Sequence, residues 1–192
     1  MREIIKMIVV LSAICGLSGF CLSYLKQLTA PAIENQVLTY VQGPAIKQVL
    51  ADTDNDPIAD RKKFTNPATG KEINVFPAIK GGKLVAIALE DFGAGFGGDI
   101  GVIVGFNVEN DTLAGIGVTT MKETPGLGTV VADARFTKQF KKQPMNVDLK
   151  SKGGQIDALS GATISSTGVV TAVQNAAKVY QAIKSEATGT WK

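Results

Sequence analysis

The sequence predicts an α+β protein, with a single N-terminal transmembrane helix followed by one domain that has a mainly antiparallel sheet and flanking helices. Three features of the 192-residue chain support this expectation. An uncharged apolar segment lies near the N-terminus, the middle of the chain alternates with a period of two, and the C-terminal part carries an amphipathic helical pattern. We divide the chain into an anchor (1–27), a juxtamembrane helical and linker region (28–70) and a folded domain (71–192).

The composition excludes several classes of site. The chain has no histidine, which excludes histidine-based triads, histidine-ligated zinc and histidine-ligated haem. Cys15 and Cys21 are the only cysteines and cannot build an iron–sulfur cluster by themselves. A net charge of +3 is too small to indicate nucleic-acid binding. We therefore expect no catalytic residue and no metal site in this chain, and expect its chemistry to come from a bound cofactor or from partners.

The N-terminal segment has the composition of a membrane anchor. Met7 to Leu25 carries no charge and approaches the ~20 residues that cross a bilayer core. Arg2 and Lys6 precede it, which favours a cytoplasmic N-terminus and an exported remainder. A cleaved signal peptide is the alternative, but its candidate site, Ala30-Pro31-Ala32, lies late and has a central proline. The sequence therefore favours a retained single-pass helix.

Periodicity predicts the elements that follow. Leu28 to Leu50 has helical spacing, divided into short pieces by Pro31 and by Gly43-Pro44. The period then changes to two over four predicted strands, Ile73–Ile79, Leu84–Glu90, Gly101–Glu109 and Leu113–Thr120. The apolar alternation predicts that these strands form the sheet.

Two helical patterns come after the strands. Asp133 to Phe140 predicts a short helix capped by Asp133, with Phe136 and Phe140 on one face. A longer C-terminal helix is marked by a continuous apolar stripe, formed by Val169, Val173, Ala176, Tyr180 and Ile183. We expect both helices to flank the sheet.

Two glycine-rich segments are candidate ligand loops. Gly93 to Gly98 matches G-x-G-x-x-G, but strand-forming residues follow it where a dinucleotide site needs a helix, so a hairpin or a loop beside a planar ligand is expected instead. Met121 to Gly128 contains Pro125-Gly126, which fits a type II turn, and Gly128 permits another unusual backbone angle. Glu123 and Thr124 would then lie at the rim of this turn.

The most informative segment precedes the C-terminal helix. It supplies hydroxyls where unpaired helix amides favour an anion, from Ser160, Thr163, Ser165 and Ser166. A simple helix cap is the more frequent explanation. Capping needs only one hydroxyl, however, and does not need the small pair Gly161-Ala162. A site for a phosphate ester is therefore the sharper hypothesis.

These segments together resemble the FMN-binding domain family. Ser160-Gly-Ala-Thr163, preceded by Asp157, resembles its flavinylation motif. Glu123 to Gly128 resembles a second signature, and Phe96-Gly97-Gly98 a third, in the same order. The similarity is greatest to the G subunits of the Rnf ion-translocating ferredoxin:NAD oxidoreductases, with the C subunits of sodium-pumping NADH:quinone reductases as near relatives.

The resemblance implies a set of site residues. Thr163 would carry FMN through a phosphoester made by a flavin transferase, with Asp157 serving recognition by that transferase. Ser160, Gly161 and Ala162 would shape the phosphate turn. Four further residues would lie against the flavin: Glu123, Thr124, Gly126 and Leu127.

The resemblance also implies a function. The chain would be an electron-transfer subunit with covalent FMN, without independent turnover, in a membrane complex that couples ferredoxin/NAD redox chemistry to sodium or proton translocation. Its FMN domain would lie on the extracytoplasmic side of the cell membrane. The C-type subunit of a sodium-pumping NADH:quinone reductase, a non-covalent flavin-binding module and a purely structural assembly subunit are the open alternatives.

Overall fold

The computed structural model describes residues 1–67 and 69–191. It contains two compact units, Met1–Leu38 and Thr39–Lys192. Helix α1 (Arg2–Gln36) makes up most of the first unit, and a six-residue π-helix (Val37–Gln42) follows it in the chain. The second unit contains the sheet and every other helix of the described residues.

Helix α1 has the properties of a membrane span. It is long and apolar enough to cross a bilayer, and none of its residues is buried within the chain. It extends beyond the anchor expected at residues 1–27, and the break expected at Pro31 is absent from it. A proline removes one backbone hydrogen bond from a helix, and here the helix continues through that loss.

The sheet has five antiparallel strands in sequential order, β1-β2-β3-β4-β5. The strands are β1 (Lys62–Thr65), β2 (Glu72–Lys80), β3 (Lys83–Ala94), β4 (Asp99–Asn107) and β5 (Leu113–Thr120). The last four correspond to the four strands predicted from period two.

The folded unit begins before residue 71, where the sequence suggested its start. Strand β1 pairs with β2, and helix α2 (Gly43–Val49) packs on β4 and β5. Both elements come from the segment expected to be a helical and linker region. Only Phe64 is buried in β1, so this short strand carries no alternating pattern that would reveal it.

Helix α4 (Thr163–Thr190) covers one face of β3 and β4. All five residues of its predicted apolar stripe are buried, and Tyr180 stacks on Phe106 of β4 with ring centroids 4.4 Å apart. Helix α2 approaches the other face, because a Cβ placed on Gly105 would lie 2.4 Å from Val49 Cγ1. Strand β4 is consequently buried on both faces.

The short helix expected at residues 133–140 is divided in the structure. Helix α3 (Ala134–Thr137) is followed by a 3₁₀ turn at Lys138–Phe140. Asp133 occupies the N-cap position but makes no side-chain capping bond. Phe136 and Phe140 are both buried, and their rings meet edge to face at 5.5 Å. The shared apolar face was therefore predicted correctly, whereas the side-chain cap was not.

The close approach of α4 to the end of β3 generates a stability prediction. A Cβ on Gly168 would lie 2.6 Å from the carbonyl oxygen of Ala94, whereas a Cβ on Gly189 of the same helix would meet nothing within 4 Å. We expect Gly168→Ala to lower the free energy of unfolding by about 1–3 kcal/mol, because the helix must move off the strand. Gly189→Ala is the control, and its helix propensity should make it neutral or slightly stabilising. Thermal or denaturant unfolding of the full chain in detergent measures both, and equal stability of the two variants would contradict the close packing.

Candidate functional site

Three loop segments meet in a cleft of about 380 Å³. They are the β3–β4 hairpin, the turn at residues 121–128 and the start of α4. The volume falls in the range of small-molecule and cofactor sites. The cleft is lined by Phe96, Glu123, Thr124, Leu127, Gly128, Gly161, Ala162, Thr163, Ile164 and Ser165.

The carboxylate of Glu123 joins the three segments. Its Oε1 accepts hydrogen bonds from the backbone N–H groups of Phe96 (2.9 Å) and Gly97 (3.0 Å) in the hairpin. Its Oε2 accepts a bond of 2.5 Å from Ser165 Oγ in the first turn of α4. Glu123 is buried, so the expectation that it lies at the rim of its turn is wrong. The physical reason is that its charge satisfies donors inside the fold.

The surroundings of Glu123 favour its ionised form. Burial raises the pKa of a carboxyl group, but hydrogen bonds from Ser165, Gly97 and Phe96 outweigh that effect and lower the pKa of Glu123 below its ordinary value. Charge-assisted hydrogen bonds to a carboxylate are stronger than neutral ones. Glu123 therefore acts as a fixed negative charge that holds the walls of the cleft.

The glycine-rich segment at residues 93–98 is a hairpin. Strand β3 ends at Ala94, β4 begins at Asp99, and the N–H of Gly95 donates to the carbonyl of Gly98 across the turn. No helix follows, so the match to a dinucleotide pattern has no structural counterpart. The side chain of Phe96 is 72% exposed at the tip of the hairpin and lines the cleft.

The turn at residues 121–128 has the predicted geometry at its centre. The N–H of Leu127 donates to the carbonyl of Thr124 at 3.2 Å, and Gly126 has a φ of 74°, as the third residue of a type II turn requires. Gly128 plays a different part from the one expected. It has no positive φ, and a Cβ at this position would lie 2.4 Å from Glu123 Oε2, so its role is close approach.

The segment from Ser160 to Ser166, which includes the first turn of α4, has two buried and two exposed hydroxyl side chains. Ser165 donates to Glu123, while Ser166 Oγ accepts from the N–H of Leu159 and donates to the carbonyl of Ala162. Both serines are buried, but Ser160 and Thr163 are exposed. The expectation of four hydroxyls available to an anion is therefore wrong for Ser165 and Ser166.

Helix α4 begins at Thr163 without a side-chain cap. Its first intrahelical bond runs from the N–H of Ser166 to the carbonyl of Ala162. The N–H groups of Thr163, Ile164 and Ser165 precede that bond and lie at the positive end of the helix dipole. Gly161, which precedes the N-cap residue Ala162, has a φ of 78°, which directs the loop into the helix. These features suit a negatively charged group close to the first turn of α4.

Asp157 lies on the same loop but does not line the cleft. Its exposed carboxylate pairs with Lys150 at 2.7 Å. The side-chain amide of Gln139 holds its backbone, accepting from the N–H of Asp157 at 2.8 Å and donating to its carbonyl at 3.3 Å. Ser160 and Gly126 also lie outside the lining. The other six residues implied by the resemblance line the cleft together.

Four lining residues are not among the site residues implied by the resemblance: Phe96, Gly128, Ile164 and Ser165. Ile164 is 54% exposed at the start of an amphipathic helix whose apolar stripe is buried, and helical periodicity alone does not single it out. The hydrogen bond from Ser165 to Glu123 joins residues that are 42 positions apart in the sequence. No local pattern in one sequence indicates such a pair.

The chain is similar to known proteins over most of its length. The model of the FMN-binding domain family matches residues 95–178. The G subunit of the ion-translocating oxidoreductase complex of Methanosarcina acetivorans is 31% identical, over 91% of this chain and 93% of that protein. The corresponding G subunit of Stutzerimonas stutzeri is 33% identical, over 92% and 80%. The G subunit of the proton-translocating ferredoxin:NAD(+) oxidoreductase complex of Clostridium ljungdahlii is 30% identical, over 86% and 85%.

Solved structures share the fold of the folded unit. The C subunit of the Na(+)-translocating NADH-quinone reductase of Parabacteroides distasonis has a TM-score of 0.53 and 26% identity, over 67% of this chain and 70% of that chain. Shewanella oneidensis NqrC has a TM-score of 0.52 and 24% identity, over 69% and 74%. The chain belongs to the family of G subunits of the ion-translocating oxidoreductase complexes and contains an FMN-binding domain.

The fixed charge on Glu123 generates a pH prediction. We expect Glu123→Gln to cost about 1–3 kcal/mol of unfolding free energy at neutral pH, because charge-assisted hydrogen bonds become neutral ones. A carboxyl group whose pKa is lower in the folded than in the unfolded state stabilises the fold at any pH above its unfolded-state pKa. This stabilisation is lost as the pH falls through the pKa of the folded state. The difference between wild type and variant should therefore shrink below pH 4.5, the ordinary pKa of the group.

Unfolding of both proteins across this pH range measures the difference. Glu109→Gln is the matched control, since Glu109 is an exposed residue and does not line this cleft. Its variant should have wild-type stability throughout. A Glu123→Gln difference that stayed constant down to acidic pH would contradict a role for the charge.

Proposed function

We propose that this member of the G-subunit family is an electron-transfer flavoprotein whose FMN is attached covalently to Thr163 through a phosphoester. The observation that supports this most directly is the position of Thr163. Its exposed side chain is the first of an uncapped helix and lines a cleft of cofactor size. A phosphate on this side chain would lie near the free amides of the first helical turn.

The start of α4 would hold the phosphate. Its unpaired amides and the positive end of its dipole stabilise a negative charge by about 0.3–1 kcal/mol at an exposed site. Gly161 and Ala162 form the small-residue approach to this position, and Ser160 lies exposed beside them. These residues would bind and orient the phosphate, while the covalent bond would prevent loss of the cofactor.

The mouth of the cleft would hold the flavin ring. Phe96, Leu127 and Ile164 come from three different segments and are 72%, 46% and 54% exposed, respectively. They offer apolar surface to a planar aromatic group and exclude water from its faces. When bound, FMN supplies reversible electron transfer. An attachment through the phosphate leaves the ring chemically unmodified.

Attachment would require a flavin transferase that uses FAD. In this step the Thr163 oxygen forms a bond to the FMN phosphorus, the phosphoanhydride bond of FAD breaks, AMP leaves and the hydroxyl proton is released. Asp157 would serve recognition by the transferase. Its exposed carboxylate and its position outside the cleft, on a backbone held by Gln139, support that role.

The membrane complex would supply the remaining functions. Helix α1 would cross the membrane once with its N-terminus in the cytoplasm, and the FMN domain would face the extracytoplasmic side. The uncharged part of this helix, Met7 to Leu25, offers small polar groups such as Ser12, Ser18 and Ser23, so we assign sodium or proton movement to other subunits. The chain would relay electrons between redox centres of its partners, in a complex that uses ferredoxin and NAD.

The attachment is tested by mass spectrometry of the denatured full chain, expressed with and without the transferase. We expect the mass of FMN less one water on the peptide that contains Thr163, only when the transferase is present. Thr163→Val keeps the shape of the side chain without its hydroxyl and should abolish the added mass. Thr167→Val, one helical turn further along α4, is the matched control and should retain it.

The contrary outcomes separate the alternatives. Wild-type protein that is yellow when native but releases its FMN on denaturation would show a non-covalent binding module. Wild-type protein without flavin would favour a structural assembly subunit, provided that the transferase modifies a control protein in the same cells. An added mass that persists in Thr163→Val would place the bond on another residue.

A further inference from the structure

A second and larger hollow lies in the folded unit, and it shares no lining residue with the cleft at Thr163. Its volume is about 700 Å³, and it lies where the C-terminal end of α2 meets the sheet and the turn after α3. We refer to it as the basic cleft, because its charged lining residues are Lys80, Lys138, Lys141 and Lys142 against the single acid Asp52.

Three positive charges of the basic cleft have no acidic partner. Lys80 pairs with Asp52 at 2.5 Å. Lys138, Lys141 and Lys142 are exposed, and no carboxylate lies within ion-pair distance of them in the described part of the chain. Lys142 also borders a smaller adjoining hollow that contains Glu109. The basic cleft nevertheless holds an excess of positive charge comparable to the net charge of +3 of the whole chain.

The backbone that carries these lysines is fixed to the sheet. The N–H of Lys142 donates to the carbonyl of Leu113 in β5 at 2.8 Å, and the N–H of Leu113 donates to the carbonyl of Gln143 at 2.9 Å. The turn at Lys138 is held by the buried ring of Phe140. The backbone that carries the three lysines is therefore already ordered, and a ligand would not have to order it on binding.

The uncharged lining of the basic cleft is mostly apolar, and four polar residues complete it: Gln48, Thr53, Asn107 and Thr137. Small residues from three strands leave space for the hollow: Ala78, Ala86, Ala114 and Gly115. Val85, which also lines it, is 38% exposed. A compact anion such as phosphate needs converging polar donors. The buried polar atoms without a partner in the described residues, Gln42 Oε1 and Asn74 Oδ1, are not in this lining. An apolar floor with a cationic rim instead suits a segment that has both apolar and acidic side chains.

We propose that the basic cleft is the docking site for an acidic segment of another subunit of the membrane complex. The segment would place an apolar side chain on the alanine floor and its Asp or Glu side chains against Lys138, Lys141 and Lys142. Charge complementarity of this kind sets partner choice and the rate of association. The inference rests on the proposed function only in assuming that this chain works inside such a complex.

Charge reversal in the intact complex tests the proposal. A tagged full-length chain is used to isolate the complex from membranes in mild detergent, and the molar ratio of the other subunits is measured by quantitative mass spectrometry. We expect the triple variant K138E/K141E/K142E to lose about tenfold in the recovery of its partner. The control K71E/K152E/K178E has the same charge change at exposed lysines outside the basic cleft and should match wild type.

A photo-crosslinking residue in place of Lys141 identifies the occupant. A crosslink to an acidic segment of another subunit would support the proposal. The proposal would be overturned by a crosslink to lipid or to a segment without acidic side chains. It would also be overturned if the cleft variant recovered its partners fully, or if both triple variants lost them equally. Covalent FMN is measured in the same samples. Wild-type chain without FMN would contradict the proposed function while leaving the docking result readable.

Discussion

The site depends on one buried carboxylate. Glu123 accepts bonds from the tip of the β3–β4 hairpin through one oxygen and from the first turn of α4 through the other. Its own turn supplies the third wall of the cleft. Without this side chain, two backbone donors would lose their partner, and the hairpin and the first turn of α4 would lose the bonds that join them to the turn at residues 121–128. The spacing of the cleft walls is therefore set by electrostatics inside the fold.

The sheet and α4 form the rigid support behind this arrangement. Gly168 lets α4 lie against the end of β3, and the ring of Tyr180 anchors the far part of the helix on β4. The start of α4 is consequently held beside the hairpin, and no side chain caps its first amides. One helix thus serves the core and the candidate site, with its apolar stripe on the sheet and its first turn at the cleft.

Much of the fold could be predicted from the sequence because it rests on local periodicity. Period two revealed β2 to β5, and the spaced apolar stripe revealed α4. Strand β1 could not be predicted, since its single buried residue makes no pattern. Thr163 was chosen as a candidate by resemblance to the flavinylation motif, but the buried state of Glu123 and its bond to Ser165 depend on tertiary contacts. The basic cleft could not be predicted from the sequence for the same reason, because its lysines and its alanines come from separate elements.

Thr163 and the three segments held by Glu123 are proposed to form a single FMN site. An atomic-resolution structure of the flavinylated full-length chain tests this proposal most directly. We expect continuous density from Thr163 Oγ1 to the phosphate, a flavin ring bounded by Phe96, Leu127 and Ile164, and an unchanged set of hydrogen bonds to Glu123. A phosphate bonded elsewhere, or a ring lying outside the cleft while the Glu123 bonds remain intact, would contradict it.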